Sequence, residues 1–256
     1  MAEIEKDGAN KPVVGDVDII YLDAEIAVLN KPALLPVIPQ RFDPSPDTLT
    51  NRLWHYLMEK ERRPAEEVRP FIVHRLDRDT SGVIVFARTP EMHRFLSMSF
   101  EGRGVEKEYL AVVEGRPDPP EGEIDLPIGP PPKPSHKTRG KVFANVPGAK
   151  PAQTSYELVE TFARASLISV KPHTGRRHQI RVHMASIACP LFIDPLYGRR
   201  NRYPEDKPVI ERLSLHAHKL SFPLQNGERK TFSAPLPGDM EALISTLRWQ
   251  GLSCKL

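Results

Sequence analysis

Apolar and polar residues alternate along much of this chain, and the alternation predicts a protein built largely of β-strands. The clearest example is the stretch 71–88, where two apolar runs rich in β-branched and aromatic residues flank a short polar turn. The Asp, Thr, Ser and Gly residues of that turn suit a tight backbone, so a hairpin is predicted here. Further strands are predicted at residues 17–22, 26–29, 107–115, 153–159, 165–170, 213–222 and 230–234.

Helices are predicted at four places, where apolar residues recur every three or four positions. The first covers residues 47–62, and the second begins at Thr89, which can cap a helix that has Pro90 in its first turn. The third follows Thr174 as its cap, and the fourth covers residues 235–249. Residues 117–134 are rich in proline and are predicted to be irregular. Strands combined with these helices place the chain in the α+β class.

The composition is that of an ordinary globular protein, with 39% hydrophobic and 27% charged residues among 256. No stretch approaches the roughly 18 apolar residues that span a membrane, and the first residues lack the apolar core of a signal peptide. Two cysteines, Cys189 and Cys254, suit a reducing cytoplasm. The net charge of +3 permits an RNA partner without requiring one. Residues 1–16 are predicted to be a flexible tail, and the length suits one large domain or two small ones.

The central hairpin contains the first candidate for chemistry. By alternation, Arg75 and Asp77 share one face at the end of the first predicted strand, where a carboxylate is costly to bury without compensation. A structural ion pair at a turn is the reading that these residues alone favour. Asp79 lies inside the turn and is predicted to cap it by accepting a hydrogen bond from its own backbone. Asp77 is therefore the carboxylate that needs another explanation.

Other polar residues also admit two interpretations. Tyr109 shares a strand face with Lys107 and, on the residues alone, is best explained as a core tyrosine. Two basic stretches are interpreted by default as solvated surface. The functional alternative is that they contact the phosphates of a nucleic acid. These stretches contain Lys133, Lys137, Arg139 and Lys141, and then Arg199, Arg200 and Arg202. The histidines at 173, 178 and 183 have no spacing typical of zinc ligands, so a zinc site is rejected.

Several motifs, in order along residues 17–236, resemble the RluA family of RNA pseudouridine synthases. The central motif is His-Arg-Leu-Asp-Arg-Asp-Thr-Ser-Gly at 74–82, and another is Thr-Gly-Arg-Arg-His-Gln-Ile-Arg at 174–181. Asn-Lys-Pro at 30–32, Lys-Glu-Tyr at 107–109 and Asp-Pro-Leu-Tyr-Gly at 194–198 also match the family pattern. Two glycines usual in the family are Leu34 and Ala188 here, so the loop at 33–39 is expected to follow another path.

The resemblance implies the pseudouridine synthase fold, a bent, mostly antiparallel mixed sheet flanked by helices, as a single catalytic domain at residues 17–256. It also implies isomerisation of uridine in RNA to pseudouridine, without cofactor or metal, on a base that has left its stack. The expected partner is ribosomal or transfer RNA, with no membrane. The protein is expected to be a cytoplasmic monomer.

The resemblance also implies roles for individual residues. Asp77 would act as an ionised carboxylate, by bonding to the base or sugar or by removing a sugar proton. Arg181 would pair with Asp77 and hold it charged, and Tyr109 would pack on the uracil and could accept the C5 proton. Arg75 could fill the gap left by the flipped base. The expected RNA-binding residues are Arg75, Lys107, Arg176, Arg177, Lys137 and Arg139.

Two other classes of function are kept as alternatives. A carboxylate-dependent nucleoside hydrolase would need a second carboxylate, and only Asp79 is near. A catalytically silent RNA-binding protein would not need Asp77, Tyr109 and Arg181 together. Release of tritium from C5 of uridine would indicate a synthase, free uracil a hydrolase, and binding alone a silent protein.

Overall fold

The computed structural model describes residues 16–39, 47–198 and 210–253. The predicted tail at 1–16, apart from Asp16, and the basic stretch with Arg199, Arg200 and Arg202 lie outside the described residues. The strands are β1 (Ile19–Leu22), β2 (Ile26–Lys31), β3 (Phe71–Ile72), β4 (Ser81–Ala87), β5 (Glu106–Glu114), β6 (Glu121–Asp125), β7 (Ile128–Gly129), β8 (Phe143–Ala144), β9 (Gln153–Thr161), β10 (Ala165–Pro172), β11 (Leu215–Pro223) and β12 (Arg229–Ser233). The helices are α1 (Leu49–Glu61), α2 (Pro90–Glu101), α3 (Gln179–Ser186) and α4 (Gly238–Ser253).

Ten of these strands form one mixed sheet. Eight of them follow one another in the order β1-β2-β4-β11-β5-β10-β9-β6. In addition, β3 pairs with β4 and β12 pairs with β11, while β7 and β8 form a separate pair. The short β4–β11 pairing is parallel, and the other pairings in the described chain are antiparallel. The predicted α+β class with a mostly antiparallel mixed sheet is confirmed.

The predicted helix starts are confirmed where capping residues mark them. The hydroxyl of Thr48 accepts the backbone N–H of Asn51 at the start of α1, and Thr89 accepts that of Met92 at the start of α2. The buried face of α4 contains the expected residues Met240, Leu243, Ile244 and Leu247. Thr174 does not cap α3, which begins only at Gln179.

The proline-rich stretch 117–134 is more regular than predicted. It contains β6, which occupies an edge of the sheet beside β9, and β7. Prolines lie on both sides of β6 but not within it, and an edge strand tolerates proline at such positions. The side chain of Ile124 is buried in the core, whereas Glu123 and Asp125 on either side of it are exposed.

The central hairpin is shorter than its apolar pattern predicts, because two strands share one edge of β4. On that edge Phe71 and Ile72 of β3 pair with the end of β4, and His216 and Ala217 of β11 pair with its start. Residues 73–80 therefore leave the sheet, and strand alternation does not apply to Arg75 and Asp77.

The side chain of His74 fills the gap between β3 and β11. Its Nε2 accepts the backbone N–H of Val85 at 3.2 Å, and its ring stacks on Phe100 with the centroids 4.5 Å apart. Burial, together with the charge of Lys107, lowers the pKa of His74 to about 3. The neutral ring can therefore accept a hydrogen bond from Val85, for whose backbone N–H neither β3 nor β11 provides an acceptor.

Leu34 and Ala188 both adopt the left-handed backbone conformation, with φ of +65° and +61°. Glycine reaches this conformation without steric cost, whereas other L-residues pay roughly 1–2 kcal/mol. Both positions therefore keep a backbone suited to glycine while carrying a larger side chain.

Gly82 is required by the parallel pairing of β4 with β11. Its φ is +113°, and a Cβ atom built on it would lie 2.1 Å from the carbonyl oxygen of Ala217. No rearrangement of a side chain relieves this contact, because the neighbour is backbone. The two halves of the sheet can therefore join here only around a glycine.

We predict that Gly82→Ala destabilises the fold by at least about 3 kcal/mol, since backbone overlap adds to left-handed strain. Chemical denaturation followed by circular dichroism measures the effect. Gly238→Ala is the matched control, because Gly238 begins α4 with open space around its Cβ position. The control should be neutral or more stable by up to about 1 kcal/mol. Equal stability of the two variants would contradict the close approach.

Candidate active site

A cleft of about 650 Å³ opens where the central strands end. Its size lies within the roughly 300–1,000 Å³ typical of ligand sites. The walls come from the turn that carries Asp77, the end of α2, the start of β5 and the segment 173–178 that leads into α3. The lining contains five lysine and arginine residues against two acidic ones, and this excess of positive charge suits an anionic nucleotide.

The turn that carries Asp77 is fixed by backbone contacts. The N–H of Thr80 donates to the carbonyl of Asp77 at 3.1 Å and closes the turn. The fully buried ammonium of Lys31 donates to three carbonyls at 2.7–2.9 Å, and one of them is the carbonyl of Arg78. Lys31 therefore anchors the turn to β2.

The predicted capping of this turn by Asp79 is wrong. Among the described residues, none donates a hydrogen bond to the Asp79 carboxylate. Its charge acts on Lys31 instead: burial lowers the pKa of Lys31 to about 7, and the negative charge of Asp79 opposes that shift. Asp79 therefore offsets part of the cost of burying a lysine.

Arg181 is buried on α3 and held by a carboxylate that the sequence analysis did not assign. Its Nε and one terminal nitrogen donate to the two oxygens of Asp194 at 2.8 and 2.7 Å. Asp194 also accepts the backbone N–H groups of Leu196 and Tyr197. Burial opposes the charge on Arg181, but the hydrogen bonds and charge of Asp194 outweigh it and raise the pKa of Arg181. The guanidinium is therefore permanently charged.

The remaining terminal nitrogen of Arg181 lies 3.6 Å from a carboxylate oxygen of Asp77. This is an ion pair rather than a hydrogen bond, and the Asp77 side chain keeps 35% of its surface exposed to the cleft. The Nε2 of His178 lies 3.9 Å from the same oxygen. Asp77 therefore faces the cleft opposite a fixed positive charge.

The segment 173–178 is tied to β9 through Gln179. Its side-chain oxygen accepts from the hydroxyl of Thr174 and from the backbone N–H of Arg176, at 2.7 and 2.9 Å. Its side-chain nitrogen donates to the carbonyl of Gln153 and the hydroxyl of Thr154, both at 2.9 Å. One buried amide thus fixes the wall of the cleft.

Tyr109 reaches the cleft through the register of the sheet. Ala217 of β11 lies between Tyr109 of β5 and Gly82 of β4, and the turn with Asp77 precedes Gly82. Burial and then the charge of Asp77 raise the pKa of Tyr109 well above its usual value. Tyr109 is therefore a neutral phenol close to the carboxylate.

Comparison with known proteins places this cleft in a family. The family model described as RNA pseudouridylate synthase matches residues 25–186. The chain is 36% identical over 250 residues to the ribosomal large subunit pseudouridine synthase D of Nitrosomonas europaea, covering 96% of this chain and 70% of that protein. It is 38% identical over 258 residues to the protein of the same name from Escherichia coli O6:H1, covering 96% and 75%.

The solved structure of human RNA pseudouridylate synthase domain containing 4 has the same fold. It superposes with a TM-score of 0.73 at 26% identity, covering 90% of this chain and 93% of the human one. This chain belongs to the RNA pseudouridylate synthase family. The synthase is an enzyme that isomerises uridine in RNA to pseudouridine, as the motifs predict.

The synthase brings together Asp77, Tyr109 and Arg181, the three residues that were expected to act in catalysis. Arg75, Lys107 and Arg176 line the same cleft, and Lys107 donates to the carbonyl of Thr174 at 3.1 Å.

The remaining expected RNA contacts lie elsewhere in the synthase. Arg177 is exposed and does not line the cleft, and it lies before α3, outside the helix that was predicted to follow Thr174. Arg139 is exposed beside the 3-10 turn at His136–Thr138, and the side chain of Lys137 lies outside the described part of the chain.

Asp194, His178 and Tyr197 are the residues that sequence reasoning missed. Two of them lie in the Asp-Pro-Leu-Tyr-Gly motif at 194–198, which was noted without a role. In the described ranges, the His, Cys, Asp and Glu side chains form no cluster of three that could hold a metal, and no helix is long and apolar enough to cross a bilayer.

We predict that Arg181→Met destabilises the synthase by about 3–5 kcal/mol, because Asp194 would remain buried without its counter-ion. Arg181→Lys should lose less stability, since it keeps the charge but not the planar fork. Arg248→Met is the matched control: Arg248 makes the same two-point contact with Glu160, at 2.8 and 2.6 Å, on the surface. Chemical denaturation should show little change in the control. Equal losses for Arg181→Met and the control would contradict the buried ion pair.

Proposed function

We propose that this synthase modifies uridine in ribosomal RNA and that Asp77 is the group that reacts with it. The observation that carries the proposal is the position of the Asp77 carboxylate. It is open to the cleft, accepts no hydrogen bond from the described residues, and lies 3.6 Å from the buried charge of Arg181. A carboxylate so placed stays available to a substrate that enters the cleft.

The reaction conserves all atoms of the uridine. The bond between ribose C1′ and uracil N1 breaks, the uracil turns, and a bond forms between C1′ and C5. The C5 proton is released, and N1 gains one. Asp77 would start this sequence either by bonding to the sugar or base or by removing a sugar proton, with Arg181 stabilising its charge.

Tyr109 would contact the uracil ring. Its pKa lies well above the usual value through burial and the charge of Asp77, so its hydroxyl keeps its proton. We therefore assign it the role of packing against the detached base. Because Tyr109 is not ionised, another group has to accept the C5 proton.

The basic residues around the cleft would hold the RNA backbone while the target base leaves its stack. Arg75, Lys107 and Arg176 line the cleft, and Arg139 lies on an exposed loop. Several similar proteins are named ribosomal large subunit pseudouridine synthase D, which favours ribosomal over transfer RNA. One domain at residues 17–256, a monomeric state and a cytoplasmic location complete the proposal.

The arrangement gives less support to a hydrolase. That reaction would use a second carboxylate as an acid or base. Asp194 is fully buried and accepts four hydrogen bonds, from Arg181, Leu196 and Tyr197, so it cannot reach a substrate.

The test uses ribosomal RNA in which uridine carries tritium at C5. Wild-type protein should release tritium without releasing free uracil. Asp77→Asn should lose turnover by several orders of magnitude while RNA affinity stays within about tenfold, or roughly 1.4 kcal/mol. Glu123→Gln is the control, because the Glu123 carboxylate is exposed on the edge strand β6 away from the cleft lining, and this variant should keep full activity. Turnover by folded Asp77→Asn near the wild-type rate would end the assignment of Asp77. Modification of transfer RNA but not of ribosomal RNA would contradict the proposal that ribosomal RNA is the substrate.

We predict that RNA affinity depends on the charge of Lys107. Burial lowers the pKa of Lys107 to about 8, and a lysine loses its positive charge above its pKa. The Kd for single-stranded RNA should therefore rise roughly fivefold to tenfold as the pH increases from about 6.5 to about 9. Lys107→Arg keeps its charge throughout and should bind with a much flatter pH profile. Titration of the RNA bases affects both proteins equally. Parallel profiles would show that Lys107 does not contact phosphate.

A further inference from the structure

We infer that His178 is a positioning residue for Asp77, and that Tyr197 selects the imidazole tautomer whose Nε2–H points at the Asp77 carboxylate. The inference rests on the proposed role of Asp77. It adds to that role a second group that orients the carboxylate, besides Arg181. The Nε2 atom lies 3.9 Å from the nearer carboxylate oxygen, and a contact of this length can shorten when substrate binds.

The tautomer follows from the hydrogen bonds of Tyr197. Its hydroxyl oxygen accepts the backbone N–H of Val142 at 2.9 Å and lies 3.0 Å from Nδ1 of His178. Burial raises the pKa of Tyr197, so the phenol keeps its proton and has it to donate. The proton is directed to Nδ1, which must then be an acceptor. A neutral imidazole with an acceptor at Nδ1 carries its hydrogen on Nε2.

Burial keeps the imidazole of His178 neutral. It is the main reason that the pKa of His178 falls to about 4; the charges of Arg181 and Arg177 act in the same direction, and those of Asp77 and Asp194 oppose it. At neutral pH the ring therefore supplies one N–H to Asp77 and no second positive charge. Arg181 thus supplies the positive charge beside Asp77, and the N–H of His178 orients the Asp77 carboxylate.

The backbone of His178 is also unusual. It is left-handed, with φ of +52° and ψ of +23°, directly before α3. Its side chain makes no capping bond to that helix, so both ring nitrogens remain for Tyr197 and Asp77. Residues other than glycine are uncommon in this conformation, and such strain clusters at functional sites.

Two substitutions separate the side chain from the backbone. Asparagine tolerates the left-handed conformation, but it is too short to place a donor where Nε2 lies. Glutamine is less suited to the conformation, but its terminal amide can reach that position. His178→Asn should lower kcat about 10- to 100-fold through misplacement of Asp77, with KM nearly unchanged. His178→Gln should recover most of that loss.

The tautomer is measured directly by ¹⁵N NMR of the full chain labelled at histidine, with the His178 signals assigned by their loss in His178→Asn. Wild-type protein should show a protonated Nε2 and an unprotonated Nδ1 at neutral pH. Tyr197→Phe should convert this single tautomer to a mixture and lower kcat by less than His178→Asn does. His55→Asn, on α1 and outside the cleft lining, is the kinetic control. Denaturation curves confirm that each variant is folded.

The inference is overturned by a wild-type spectrum with hydrogen on Nδ1 or on both nitrogens. Wild-type kcat in His178→Asn would also overturn it, as would a folded His178→Gln no better than His178→Asn. A different result, wild-type activity of the Asp77→Asn variant, would reject the proposed role of Asp77. An inactive Asp77→Asn together with a fully active His178→Asn would reject the role of His178 alone.

Discussion

The buried positive charge of Arg181 is the constraint on which the active site depends. A guanidinium can be buried only if its donors are satisfied and its charge is balanced. Asp194 meets both needs with two hydrogen bonds, and it is itself fixed by two backbone N–H groups. The third edge of the guanidinium then faces Asp77 with its charge intact. The geometry around the Asp77 carboxylate therefore depends on Asp194, whose side chain is fully buried.

A second constraint comes from the sheet. Since β3 and β11 share an edge of β4, the chain between Ile72 and Ser81 has to leave the sheet, and this excursion carries Asp77 into the cleft. His74 satisfies the backbone donor left between the two strands, and Lys31 anchors the turn from the opposite side. Buried polar groups thus fix the turn that carries this carboxylate, as in sites whose geometry is set before the substrate binds.

A network of buried polar bonds helps to hold the cleft wall opposite this turn. The hydroxyl of Thr154 accepts from Gln179 and lies 2.8 Å from Nδ1 of His183, whose Nε2 lies 2.9 Å from the carbonyl of Leu126. The chain of bonds is consistent if Thr154 donates to Nδ1, which leaves Nε2 to donate to Leu126. A connected network of this kind is costly to disturb, because loss of one member leaves the others buried without partners.

Local sequence patterns and motifs were enough to predict the class of fold, most strands, the position of α1, the cap of α2, and that Asp77, Tyr109 and Arg181 lie together. These features follow from local patterns, such as alternation, capping and short motifs, which neighbouring residues impose on one another. The tertiary structure alone decided that β11 interrupts the central hairpin and that Arg181 pairs first with Asp194. It also decided that Thr174 binds Gln179 instead of capping α3. Each of these outcomes depends on a partner distant in the chain or on competition for one hydrogen-bonding group, and local periodicity carries no information about either.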